Sequence, residues 1–331
     1  MLGMSLLLFL SPLPAAEPAT PSPLSARLMP LIEAHQGKVA VAVKHLTSGE
    51  SFTYHENDVM PTASLIKFPV MVEALRQAEA GRIDLSATVT LQDSDKVPGS
   101  GILTQHFSAL TTFSLKDAIK LMIVYSDNTA TNLVLDRIGI PSTAKTMEQL
   151  GFPNTKIHSK VYRRDTSVFP ERSVKYGLGS TTANEMLGLC KRLHKRELVS
   201  KSASETMYQF MLQCEDPAKF PRLLPHGTKV AMKTGSVNAS RTAAGIIQTP
   251  SGPVALCVLT DENQDQRWHP DNAGDRLCAE IARAVYNRFE TQTQTRAGAG
   301  SSTTTPDSTA RPARSTSPTA PENGSRVPRR P

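Results

Sequence analysis

The sequence predicts a mixed α/β (α+β) fold: a five-stranded antiparallel sheet flanked by terminal helices, with an all-helical subdomain inserted between its two halves. Two observations predict it. A helix and two strands open the folded region, while three strands and a helix close it, so both ends of the chain complete one sheet. Between them lie contiguous stretches with helical periodicity. The 331 residues, 39% hydrophobic and 20% charged, have ordinary globular composition and enough apolar material for a sizeable core.

The first helix runs from Leu24 to about Gln36, with Leu28, Leu31 and Ile32 on one face; Pro30 either kinks it or delays its start to near Met29. Val39 to Leu46 and Ser51 to Tyr54 are strands joined by the turn Thr47-Ser48-Gly49-Glu50. From Thr62 to Val70 a small-residue entry leads into an apolar run, the N-terminal turn of a buried helix that continues through Met71, Leu75 and Ala78 to Gly81. Ile83 to about Thr112 is loop-rich. Ser114 caps a helix to about Val124, and helices opening at Ser126-Asp127-Asn128 and spanning Ser142 to Leu150 follow. A long loop rich in charge and turn formers occupies His158 to Ser180, before helices over Thr181 to His194 and Ser202 to Leu212. Lys229 to Lys233, Arg241 to Gln248 and Val254 to Thr260 are strands, and Asn272 to Phe289 is the terminal helix. The helical subdomain spans about 64–225 within a folded domain of 24–290.

The ends differ from this body. Residues 1–16 contain Leu6-Leu7-Leu8-Phe9-Leu10 and then Pro14-Ala15-Ala16, which resembles a secretory signal peptide without the positively charged start; 17–23 is a linker. The apolar run is too short to span a bilayer, and no cysteine beside the cleavage site suggests a lipid anchor, so the chain is expected to be exported, periplasmic or secreted. Residues 291–331 are rich in Thr, Ser, Pro, Ala, Gly and Arg and predict a disordered tail. Its six arginines face only Asp307 and Glu322, so more than half of the formal +7 charge lies there. The basic balance therefore says little about the folded part, and no basic, aromatic-interleaved motif supports nucleic-acid binding. Cys190, Cys214, Cys257 and Cys278 lack metal or C-x-x-C spacing and read as buried free thiols, with one or two disulfides left open by the even count.

The chemistry gathers in three short stretches. Ser64 and Lys67 are three apart, so a helix stands hydroxyl and amine on one face about one turn from each other. Neutral lysine can take the serine proton, and burial with a second cation nearby lowers a lysine pKa toward that state. The start of a helix adds unpaired N–H groups and a positive dipole end that favour an oxyanion. Ser126-Asp127-Asn128 opens an amphipathic run, and Lys233-Thr234-Gly235 ends a strand.

In that order, S-x-x-K, S-D-N and K-T-G resemble the signature of class A β-lactamases and penicillin-binding proteins. The resemblance covers roughly residues 24–290 and includes Gly99-Ser100-Gly101-Ile102-Leu103, Asn132-Leu133, and Thr181-Thr182 with Met186. It implies a β-lactamase/transpeptidase-like fold and a serine hydrolase working through an acyl-Ser64 ester, opening β-lactams as a class A-like β-lactamase. The alternative it leaves open is a penicillin-binding D-alanyl-D-alanine peptidase that acylates and deacylates slowly.

Carried over motif by motif, Ser64 is the nucleophile, Lys67 its proton acceptor and Ser126 the shuttle to the leaving nitrogen. Asn128 holds the substrate side-chain carbonyl. Lys233 and Thr234 receive the substrate carboxylate, and Gly235 lets substrate approach the strand edge. The backbone N–H groups of Ser64 and Ser236 form the oxyanion hole, worth about 3 kcal/mol per donor. Arg241 offers a guanidinium for the carboxylate, although its spacing from Lys233 is one residue short of the family pattern. Asp127 reads as structural, bonding backbone near its own turn.

The departure lies before Thr181, where class A enzymes carry E-x-x-x-N with the deacylating glutamate. Here that loop reads Arg164-Asp165-Thr166-Ser167-Val168-Phe169-Pro170-Glu171-Arg172-Ser173. Glu171, and after it Asp165, are the carboxylates left to activate water. No cofactor or metal is implied; the expected partner is a small β-lactam or D-Ala-D-Ala-like peptide, and the expected state a monomer.

Overall fold

The computed structural model describes residues 23–298, with side chains to Glu290. The expected signal peptide, nearly all of the linker and the tail beyond Gly298 lie outside the described residues. In chain order the first elements are α1 (Pro23–Glu33), β1 (Lys38–His45), β2 (Ser51–Tyr54), β3 (Met60–Pro61), a 3-10 turn (Ala63–Ile66) and α2 (Lys67–Glu79). Then come β4 (Thr88–Thr90), α3 (Leu103–His106), β5 (Thr112–Ser114), α4 (Leu115–Val124), α5 (Asn128–Ile138) and α6 (Ile140–Gln149). β6 (Lys156–Ile157), α7 (Pro170–Tyr176), β7 (Gly179–Thr181), α8 (Ala183–His194) and α9 (Lys201–Leu212) follow. The chain returns through β8 (Val230–Val237), β9 (Ser240–Thr249), β10 (Gly252–Asp261) and α10 (Ala273–Gly298).

The main sheet has the order β2-β1-β10-β9-β8, antiparallel throughout, so strands from both ends of the folded region meet at the β1–β10 pair. Its two faces follow from period-two alternation. Val39, Val41 and Val43 of β1, with Val254, Leu256 and Val258 of β10, point to the core shared with Leu24 and Leu28 of α1 and Ile281, Val285 and Phe289 of α10. Ala40, Ala42, Ala255 and Cys257 point the other way, into a larger core with α2, α4, α5, α8 and α9. Small residues on that face let α8 lie close against the sheet.

Local signals explain the helix starts around the site. Ser114 caps α4 by accepting from Asp117 N, and Asp127 caps α5 by accepting from Ala130 N. The second Asp127 oxygen accepts from Ile102 N at 2.7 Å and Leu103 N at 2.8 Å, so one carboxylate ties the S-D-N turn to the Gly99–Leu103 loop.

Several expectations change. α1 contains Pro30 without a break, because buried Leu24, Leu28 and Ile32 hold the helix across the one N–H that proline lacks. Lys233-Thr234-Gly235 lies inside β8, which runs on to Val237. The loop-rich stretch 83–112 contains β4, which pairs with β5. α10 extends past the expected end at Phe289 to Gly298, so the predicted disordered tail begins as helix; no glycine or proline interrupts Thr291 to Ala297. All four cysteines are free, which closes the disulfide option. Burial pushes the Cys190 and Cys278 thiols up to about 12, as for inert core sulfur.

The 158–180 segment is held by tertiary contacts rather than by its own periodicity. The fully buried His158 places Nδ1 2.9 Å from Gly177 O and Nε2 3.1 Å from Ser180 Oγ. Burial pushes the imidazole down to about 4, even though the Gly177 carbonyl favours the protonated ring. The unfolded chain takes up a proton near 6.5 and the folded chain does not, so His158 contributes stability that is full above about 6.5 and lost as pH falls through about 4. In urea titrations the wild type should lose more stability between pH 6.5 and 4 than a His158→Gln variant; equal losses would contradict a buried neutral imidazole.

Candidate active site

Three elements converge on one point: the turn carrying Ser64, the Ser126-Asp127-Asn128 start of α5, and the edge strand β8. The turn is 3-10 rather than α-helical at Ser64, and Lys67 is the first residue of α2. Ala63 and Ser126 adopt left-handed backbone at φ 45° and 52°, a costly conformation for residues with a Cβ. The strain sits beside the residues whose side chains must be aimed.

β8 reaches this turn only because position 235 is glycine. A Cβ there would lie 2.4 Å from Thr62 O and 2.8 Å from Leu65 N. Thr242 of β9 reinforces the contact by donating to Thr62 O at 2.8 Å.

Lys67 and Lys233 are both fully buried. Lys67 Nζ lies 2.6 Å from Ser126 O, 2.8 Å from Asn128 Oδ1 and 3.3 Å from Ser126 Oγ. Lys233 Nζ donates to Ser126 Oγ at 3.1 Å and to Thr234 O at 2.8 Å. The Ser126 hydroxyl thus stands between two amines. Lys67 Nζ donates to Ser126 O, Asn128 Oδ1 and Ser126 Oγ, and the same hydroxyl oxygen accepts from Lys233. Burial holds Lys67 well below the ordinary lysine value, the Lys233 charge lowers it further, and Asp127 opposes both. Burial also lowers Lys233, against the opposing pull of Cys214 and Asp216.

Above this floor opens a cleft of about 890 Å³ lined by Ser64, Asn128, Ser236 and the mouth residues Tyr162, Arg164 and Trp268. Asn128 Nδ2 donates to Pro98 O at 2.9 Å, which leaves its second N–H for a ligand carbonyl. On the loop side the Asn132 side chain clamps Val161, donating to its carbonyl at 3.1 Å and accepting from its N–H at 2.8 Å.

The structure thus brings Ser64, Lys67, Ser126, Asn128, Lys233, Gly235 and Ser236 together. Thr234 is buried in β8, and Asp216 on the far side of the strand draws its hydroxyl. Three expected residues are elsewhere. Arg241 is 1% exposed and donates to Asp275 at 3.3 Å, Ser240 O at 3.1 Å and Arg267 O at 3.0 Å. Strand alternation is the reason: the next residue, Thr242, faces the Ser64 turn, so Arg241 points away to clamp the β8–β9 turn against α10. Glu171 is exposed in the first turn of α7 and is not among the cleft residues, while the exposed Asp165 pairs with Arg163 at 3.0 Å. A base must reach its water by hydrogen bond, and no carboxylate among the described residues lines the cleft.

Lys219 was missed by the sequence reading. It is buried, donates to Ser236 Oγ at 2.9 Å, and pairs with Asp216 at 2.9 Å and Asp275 at 3.1 Å. Burial pulls it down, but the two carboxylates prevail and raise it, so it stays charged behind the strand edge. Its only sequence signal is the i,i+3 spacing from Asp216.

A strained serine turn, a buried amine beside it and a second hydroxyl held between two amines define a serine acyl-transfer centre. The comparisons name the family. The model of the beta-lactamase enzyme family matches residues 23–289, and the chain belongs to that family. Its relatives include beta-lactamase CARB-3 of Pseudomonas aeruginosa, 28% identical over 78% of this chain and 87% of the relative. The imipenem-hydrolyzing beta-lactamase of Enterobacter cloacae is 26% identical over 77% of this chain and 85% of its own length. Among solved structures, a beta-lactamase from Sphaerobacter thermophilus superposes with a TM-score of 0.71 at 26% identity, covering 82% of this chain and 99% of that one. PBP-A shares the fold, with a TM-score of 0.70 at 23% identity over 82% of this chain and 97% of its own.

The close approach at Gly235 is testable without any substrate. Gly235→Ala should force β8 away from the Ser64 turn and cost about 1–3 kcal/mol of stability in urea titrations; unchanged stability would contradict the packing described.

Proposed function

We propose that the protein opens β-lactam rings through an ester on Ser64, and that release of the ester limits turnover. The observation that carries this reading is the Lys67–Ser126–Lys233 hydrogen-bonded trio beneath Ser64. Neutral Lys67 takes the Ser64 proton as Oγ attacks the lactam carbonyl. The N–H groups of Ser64 and Ser236 stabilise the oxyanion. As the C–N bond breaks, the Ser126 hydroxyl gives its proton to the nitrogen and is reprotonated from Lys67, which returns to the neutral amine. Asn128 holds the acyl side-chain carbonyl. Lys233 receives the substrate carboxylate, and the charge of Lys219 reinforces that end through Ser236.

Deacylation adds water to the ester carbonyl and restores the Ser64 hydroxyl. With no carboxylate among the described residues lining the cleft, this step rests on the regenerated Lys67 amine and lacks the carboxylate base of the kind that typically contributes about 10²- to 10⁴-fold. The same observation favours a second reading, a penicillin-binding D-alanyl-D-alanine peptidase whose lactam ester is long-lived. It predicts release of D-alanine from a peptidoglycan-like peptide, which the first reading does not. Export to the periplasm or exterior fits either substrate; no described helix is long and apolar enough to cross a membrane.

Intact mass after mixing with benzylpenicillin should show one adduct that decays as the opened acid appears, and Ser64→Ala should show neither. Neither adduct nor product from the wild type would overturn the reading. The Glu171→Gln adduct should decay at the wild-type rate. Because Lys67 must be neutral to act, the acylation rate should rise with pH along a limb whose midpoint lies below the ordinary lysine value of 10.5. A midpoint at or above 10.5 would contradict the assignment of Lys67 as base.

A further inference from the structure

We infer that Arg164 forms a second anion subsite at the loop-side mouth of the cleft, selecting substrates whose acyl side chain carries its own carboxylate; the inference rests on the acyl-Ser64 reading. Two cations from the 158–180 loop line the cleft, Lys160 and Arg164. Lys160 is tied to Asp136. The adjacent Arg163, outside the lining, is tied to Asp165 at 3.0 Å in a two-bond fork. Arg164 lines the cleft, is exposed, and has no side-chain ion pair or hydrogen bond among the described residues. It is fixed at its backbone rather than its tip: it opens the 3-10 turn Arg164–Thr166, and its carbonyl accepts from Ser167 N at 3.0 Å.

The surroundings give this guanidinium one sign of ligand. No acidic side chain among the described residues lines the cleft to compete for the fork. The strand-side wall already has charge for one carboxylate, in Lys233 and in Lys219 behind Ser236. Arg164 belongs to the opposite wall, with Val161 and Tyr162, where the Asn132 clamp positions the loop. A substrate lying across Ser64 with its ring carboxylate toward β8 therefore extends its acyl side chain past Asn128 toward Arg164. A guanidinium matches a carboxylate in a planar two-bond fork. Because the site is open, its attraction is screened at high salt.

Benzylpenicillin and carbenicillin isolate the proposed contact, since they differ by a single carboxylate on the side-chain carbon. Second-order acylation rates of the full chain, measured by competition against a fluorescent penicillin, do not depend on how fast the ester is released. Arg164→Gln should slow acylation by carbenicillin about fivefold at low salt while leaving benzylpenicillin within about twofold. Arg164→Lys should restore part of the difference, and 1 M NaCl should erase it. Equal effects on both penicillins, or none on either, while both still acylate Ser64, would overturn the subsite and leave the acyl-Ser64 reading standing. Failure of both penicillins to acylate the wild type would instead remove that reading and the subsite with it.

Discussion

The site depends on one hydroxyl held between two buried amines. Lys67 and Lys233 both lie at 0% exposure and both reach the Ser126 oxygen. Two ammonium groups so close, each stripped of water, repel strongly in a low-dielectric interior. Losing one proton removes the repulsion. Much of the local structure serves this arrangement. Asp127 caps α5 and ties down the neighbouring loop, Asn128 accepts from Lys67, left-handed backbone at Ser126 turns its carbonyl to Lys67, and Gly235 brings β8 against the Ser64 turn.

Behind β8 the same residue type has the opposite fate. Lys219 is as buried as Lys67, yet Asp216 and Asp275 raise it while Lys233 lowers Lys67. Neighbours, not burial, separate the two. The ion network that keeps Lys219 charged also includes Arg241, so the cation expected to meet substrate instead braces α10 against the sheet. Lys219 brings charge to the β8 side of the cleft through Ser236, and no carboxylate among the described residues lines the cleft.

Elements with strong local signals were legible in the sequence. Ser114 and Asp127 cap helices at the expected positions, and the alternating runs around Val41, Ala244 and Val258 formed the expected strands. What escaped was set by register or by distant contacts. A one-residue offset on β9 separates Arg241 from Thr242 and reverses the direction of the side chain. Lys219 has no motif, because its role comes from Ser236 and Asp275, 17 and 56 positions away. The 158–180 loop lacks periodicity since Asn132, Gly177 and Ser180 hold it from outside or across its length, which is why Glu171 could not be placed by counting.

The central claim is that Lys67 titrates well below an ordinary lysine because of where it is buried and what it faces. Titrating the ε-carbon resonances of ¹³C-labelled lysines, assigned with Lys67→Arg and Lys219→Arg variants, reads this directly. The account predicts that Lys67 titrates below 10.5 and Lys219 above it. A Lys67 that stays protonated to 10.5 or beyond would contradict it.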